Sequence, residues 1–152
     1  MDVKNWSNEE ILAAAASILE ERAATYATDL VSTPEIAKEI ACHRLGTLEH
    51  EVFAVFWLDV QNRVIEFEQI FRGTLSQTSV YPREIAKSAL RHNAAGAILA
   101  HNHPSGTLEP SSADQILTRV IKEALALLDV RVLDHLIVSG NRTRSMAELG
   151  YV

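Results

Sequence analysis

The sequence is short of cysteine, of positive charge and of long apolar runs, and each shortage excludes something. A single cysteine, Cys42, stands among 152 residues. It leaves no intramolecular disulfide and no Cys-x-x-Cys pair for zinc or redox work, so a reducing, cytoplasmic setting is expected. Lys and Arg number 14 against 20 Asp and Glu, a formal net charge of −6. Nucleic-acid binders ordinarily carry a basic excess or a basic stripe, and here the basic residues are scattered. No run approaches the roughly 18 apolar residues of a membrane span. The opening Met-Asp-Val-Lys-Asn-Trp lacks the basic-then-apolar order of a secretory signal. There is no internal repeat, no low-complexity linker, no Walker-type glycine loop and no His-Glu-x-x-His helix.

What is present suits one domain with a small helical appendage. The chain is 47% hydrophobic and 22% charged, ordinary for a globular protein with a real core. Ser7 and Glu10 form a capping-box pattern. An alanine-rich helix should follow to about Ala27, with Ile11, Leu12, Ala15, Ile18 and Leu19 at helical spacing. Ser32-Thr33-Pro34 predicts a second helix, with proline tolerated in its first turn, and Gly46 predicts its stop.

Beyond Gly46 the periodicity changes. "EVFAVFWLD", from Glu51 to Asp59, is too apolar on both sides for an exposed strand and reads as a central one. "RVIEFEQIFRG" alternates and predicts its hairpin partner, with Glu66 and Glu68 toward solvent. Tyr81-Pro82 begins a helix that ends near Asn93. Ala95 to Ala100 is a short buried strand. Ser111 begins a helix through about Leu128, "RVLDHLIVSGN" a strand and turn, and "RTRSMAEL" a last strand. The expected class is α/β, a mixed sheet flanked by helices, with residues 1–46 as an N-terminal helical extension and 47–152 as the main domain.

The chemistry concentrates where the buried strand ends, in "AGAILAHNHPSG". Residues two apart on a strand point to one side, so His101 and His103 converge if they continue the extended path. Neutral imidazole is a good zinc ligand. Asp114 lies in the first turn of the next helix, which a short connection keeps near the strand end. Two histidines and one carboxylate leave Zn²⁺ a fourth position for water, as in catalytic sites. They also leave a net charge of +1, enough to draw the pKa of that water toward about 7. Against this, His-x-His is a common dipeptide pattern, and Ser111-Ser112-Ala113-Asp114 is equally a capping box.

The full run "HNHPSGTLEPSSAD" is far more specific than its parts. His101-x-His103-Pro104, then Ser111, then Asp114 resembles the JAMM signature of MPN-domain metalloproteases. "YPREIAKSALRHNAAGAILAHNHPSG" and "DHLIVSG" extend the likeness to the bacterial RadC family, over roughly Leu48 to Val152. The resemblance implies the JAMM/MPN fold, related to cytidine deaminases, with Zn²⁺ on His101, His103 and Asp114. It implies a glutamate at the start of a hydrophobic strand as general base, a position that Glu51 matches and for which Glu49 is the fallback. It implies that Ser111 helps to stabilise an oxyanion, and that the reaction is hydrolysis of a peptide or isopeptide bond in a protein or peptide substrate.

Longer RadC members carry an N-terminal region of helix–hairpin–helix type. The N-terminal helices here have no glycine hairpin for gripping phosphates, which counts against direct DNA binding. The competing function is a non-catalytic or DNA-repair-associated binding module. A zinc deaminase would need His-x-Glu and Pro-Cys-x-x-Cys, and His103 stands where that glutamate belongs. Asn102, Ser105 and His135 read as backbone-serving or buried structural residues, His135 with a possible role behind the metal ligands. Cys42 reads as a small core residue.

Overall fold

A computed structural model describes residues 6–29, 34–73 and 80–152. Two compact units divide the chain, Met1–Leu30 and Val31–Val152. In the first, helix α1 (Asn8–Asp29) begins where the capping box places it. The Ser7 amide donates to Glu10 Oε2 at 2.8 Å, and the Glu10 amide donates to Ser7 Oγ at 3.3 Å. Ile11, Leu12 and Ile18 are exposed.

The second unit is a five-stranded mixed sheet with helices on both faces. Its elements are α2 (Pro34–Leu45), β1 (Val52–Leu58), β2 (Val64–Arg72), α3 (Pro82–Arg91), β3 (Gly96–Asn102), α4 (Ser112–Ala126), β4 (Arg131–Ser139) and β5 (Arg142–Ser145). The strand order is β2-β1-β3-β4-β5. Only β3 and β4 run parallel, and α4 makes the crossover between them, as a parallel pair requires. The central strands β1 and β3 are buried at every position, which is why their sequences show no alternation.

On one face Phe53, Val55, Trp57 and Leu99 pack against Ile85 and Ala89 of α3 and Leu117, Ile121 and Leu125 of α4. On the other, Ala54, Phe56, Ile98 and Ala100 pack against Ala37, Ala41 and Leu45 of α2. Each fully buried large side chain contributes about 1.5–3 kcal/mol of transfer free energy. Helix α2, grouped in the sequence reading with the N-terminal extension, therefore supplies one wall of the sheet's core. Its expected start at Ser32 and Thr33 lies outside the described residues. Gly46 ends it: a Cβ there would stand 1.9 Å from the Gly140 carbonyl oxygen, so only glycine lets α2 reach the β4–β5 turn.

Two expectations are corrected. The last strand stops at Ser145 rather than running to Leu149, because Asp134 turns the chain. Its carboxylate accepts from Ser145 Oγ at 2.6 Å and from the Ala147 amide at 3.0 Å. Glu68 is half-buried rather than solvent-facing, and Trp57 Nε1 donates to it at 3.0 Å.

Candidate metal centre

The site forms where β3 leaves the sheet beside the start of α4. In β3, His101 pairs with Phe53 of β1 and Ile137 of β4. It shares a sheet face with Phe53 and Leu99 and is 1% exposed. His103 lies two residues on, where its amide still donates to the Val138 carbonyl at 2.8 Å. The extended path thus persists for two residues, and both rings arrive on one side. Pro104 and Gly106 then turn the chain. Gly106 takes φ +94°, a backbone conformation that glycine adopts without steric cost.

Helix α4 brings the carboxylate. Ser111 is its N-cap, with a capping box to Asp114. Asp114 Oδ2 accepts from the Ser111 amide and from Ser111 Oγ, each at 2.7 Å. Asp114 Oδ1 lies 3.3 Å from His101 Nε2, and Asp114 Oδ2 lies 3.6 Å from His103 Nε2. The two Nε2 atoms approach to 2.8 Å. One ligand atom from each of His101, His103 and Asp114 falls within a 4.8 Å cluster.

The donor set fits a divalent cation. His103 Nδ1 lies 3.2 Å from the Thr107 carbonyl, which only accepts, so the neutral ring carries its proton on Nδ1 and leaves Nε2 bare. Hydrogen bonding to Asp114 raises the pKa of His103 against the opposing effect of burial, and the charge of Glu51 adds to the rise. Burial opposes ionisation of Asp114, yet hydrogen bonds with His101, His103 and Ser111 hold its carboxyl well below the usual range. A buried carboxylate and two converging imidazoles form a concentration of electron pairs that a metal ion would neutralise. His103 is the most open ligand, 11% exposed against 1% for His101 and 5% for Asp114.

Glu51 immediately precedes β1. The β1–β3 register ends at Phe53↔His101; continued by two residues it would bring Glu51 near His103, whose pKa its charge helps to raise. Asn102 holds this approach. Its Oδ1 accepts from the Val52 amide at 2.7 Å, and its Nδ2 donates to the His50 carbonyl at 2.9 Å and the Leu48 carbonyl at 3.3 Å. The residue between the two histidines thus serves the backbone, as expected, and the backbone it serves carries Glu51. Glu49 is exposed and lines a shallow cleft of about 350 Å³ beside His103, with Leu48, Pro104 and Ser139. The Ser111 hydroxyl, expected to face an oxyanion, instead gives its proton to Asp114.

Comparison with known proteins bears on this geometry. Residues 31–151 match the RadC-like JAB domain. The chain belongs to that family. Curated relatives include UPF0758 proteins from Janthinobacterium sp. (strain Marseille), 57% identical over 122 residues, and Thiobacillus denitrificans, 56% identical over 126. One from Leptothrix cholodnii is 58% identical over 118 residues. These alignments cover 78–83% of this chain but only 53–56% of each relative, so this RadC-family chain spans about half their length. The match opens at residue 31 and takes in α2, whereas the motifs legible in the sequence begin near Leu48. No helix among the described residues is long and apolar enough to cross a membrane.

Two contributors escaped the sequence reading, wholly or in part. His135 is fully buried, its Nε2 2.7 Å from His101 Nδ1. Thr118, on the same face of α4 as Asp114 and one turn later, reaches His135 Nδ1 at 2.6 Å. The available signals were a threonine four residues after the carboxylate and a histidine inside an apolar strand.

Proposed function

We propose that this chain is a zinc-dependent hydrolase of JAMM type that cleaves a peptide or isopeptide bond. The observation that carries the reading is the meeting of His101 Nε2, His103 Nε2 and the Asp114 carboxylate within 4.8 Å, at the end of a sheet strand. Three ligands of this kind suit a catalytic zinc site, which keeps a position open. A zinc ion held by them would supply a charge that acidifies water and polarises the carbonyl under attack.

The protein's own groups divide the remaining work. Glu51 takes the proton of the attacking water and returns it to the departing amine. Asn102 fixes the Leu48–Val52 backbone and so the position from which Glu51 reaches. Asp114 is held by the Ser111 amide as well as by its hydroxyl, so Ser111 Oγ can turn toward a developing oxyanion while the carboxylate keeps one donor. His103, at the rim, marks where a substrate carbonyl enters.

The test is metal analysis of the purified protein, with anomalous scattering at the zinc edge. A peak between His101, His103 and Asp114 supports the reading. A protein that takes up no divalent metal would return it to a binding module.

A further inference from the structure

Thr118, His135 and His101 form a hydrogen-bonded chain whose proton positions follow from the acceptors at its end. Thr118 Oγ1 lies 2.6 Å from the Asp114 main-chain carbonyl. That oxygen only accepts, so the single hydroxyl proton goes there. Met146 Sδ, at 3.7 Å, is too weak an acceptor to compete with it. With its proton committed, Thr118 Oγ1 accepts from His135 Nδ1, 2.6 Å away. His135 is completely buried, and its ring nitrogens face Thr118 Oγ1 and His101 Nδ1 rather than a carboxylate, so its ring is neutral and has one N–H. That N–H is on Nδ1, and Nε2 is therefore an acceptor.

The remaining link is His101 Nδ1, 2.7 Å from His135 Nε2. His101 must donate there. Its proton sits on Nδ1 and its Nε2 is bare, aimed at His103 and Asp114. Reversing the chain would put the His101 proton on Nε2, where it would block a metal.

We propose that Thr118 and His135 are positioning residues that lock His101 in the Nδ1–H tautomer, keeping Nε2 open for a divalent cation. The inference rests on the metal reading above and deepens it. Asp114 takes part twice, its carboxylate among the ligands and its main-chain carbonyl as the terminal acceptor of the lock. One helical turn of α4 thus carries both a ligand and the group that sets the protonation of another ligand.

The experiment uses the full chain, stripped of metal, with ¹⁵N-labelled histidine at a pH where the rings are neutral. Long-range ¹H–¹⁵N correlation reports which nitrogen of His101 is protonated, and zinc affinity is measured by competition with a chromophoric chelator. The wild type should show His101 protonated on Nδ1. Thr118→Val keeps the shape but removes the hydroxyl. It should bring Nε2 protonation of His101 into view and weaken zinc binding about 10–100-fold, and Thr118→Ser should restore both. An Nε2–H signal for His101 in the metal-free wild type would overturn the lock without recourse to any variant. So would zinc binding by the wild type that Thr118→Val leaves unchanged. A wild type that shows the Nδ1–H tautomer but takes up no zinc would overturn the metal reading and, with it, the purpose assigned to the lock.

Discussion

Two polar clusters occupy opposite ends of the same sheet face, and they differ in what their hydrogen bonds leave over. Around Glu68, one carboxylate meets donors only: Trp57 Nε1 at 3.0 Å, Ser88 Oγ, Arg91 Nη2 and His92 Nε2 at 3.3 Å. Around Asp114, the carboxylate meets two imidazole nitrogens that also meet each other at 2.8 Å. In the tautomer proposed above for neutral rings, both Nε2 atoms would present lone pairs toward the carboxylate, which also accepts from the Ser111 amide and hydroxyl. The first cluster is saturated and joins β2 to α3. The second gathers three side chains that could hold a cation. Both contain histidine, carboxylate and serine, so residue type alone does not separate structure from chemistry. The balance of donors and acceptors does.

Removing a ligand should break the comparison most strongly. Asp114→Ala or His103→Ala should abolish stoichiometric zinc uptake, read by elemental analysis. It should also abolish the stabilisation that zinc confers on the wild type, about 4 kcal/mol at a thousandfold excess over Kd, read as a shift in Tm. Glu68→Ala should leave zinc uptake intact. If both clusters lost metal, or neither did, the distinction between them would fail.

Glu51→Gln sharpens the contrast within the second cluster. Zinc content should stay at the wild-type level, while hydrolysis of a cleavable peptide or isopeptide substrate falls about 10²–10⁴-fold. A variant that lost its zinc would make Glu51 a ligand instead of a base. Turnover left at the wild-type rate would remove it from the reaction altogether.

Next in size is the structural cost at the saturated end. Glu68→Ala leaves the Trp57 indole N–H and the Ser88 hydroxyl without their acceptor, and Ser88 is 3% exposed. Loss of such a partner costs about 1–3 kcal/mol, measurable by urea unfolding of the metal-free protein.

Much of this contrast was legible in the sequence and part of it was not. His101-x-His103 at a strand end and Asp114 in a capped first turn predict convergence from local geometry alone, and the structure brings the three together. The apolar run of β1 announces a strand buried on both faces. Glu68 was misread because alternation gives Glu66 and Glu68 the same face, and only the β1–β2 register reveals that Trp57 and α3 cover one of them. Thr118 and His135 lie 17 residues apart in sequence and meet only through the β3–α4–β4 crossover. Helix α2 joined the extension because its buried Ala37 and Ala41 are too small to give a strong hydrophobic pattern, although small residues are what let it approach the sheet.

The smallest expected effect concerns acid stability at the saturated end. Burial works against the charge of Glu68, but hydrogen bonds from Ser88 and Trp57 and the charges of Arg91 and His92 win, and its pKa falls below 4.5. A folded-state pKa below the unfolded one means that the unfolded chain binds the proton more readily. The resulting stability is fully present above about pH 4.5 and is lost as pH falls through the lowered value. Thermal melts of the metal-free protein between about pH 3 and 6 should therefore show a shallower acid limb for Glu68→Gln than for the wild type. Zinc added to the wild type should add stability that is lost as pH falls, because protons compete with the metal for its imidazole ligands. Two separable steps, one moved by Glu68→Gln and the other by zinc, would show that the clusters titrate as independent units. A single step moved by both would show that the sheet face couples them.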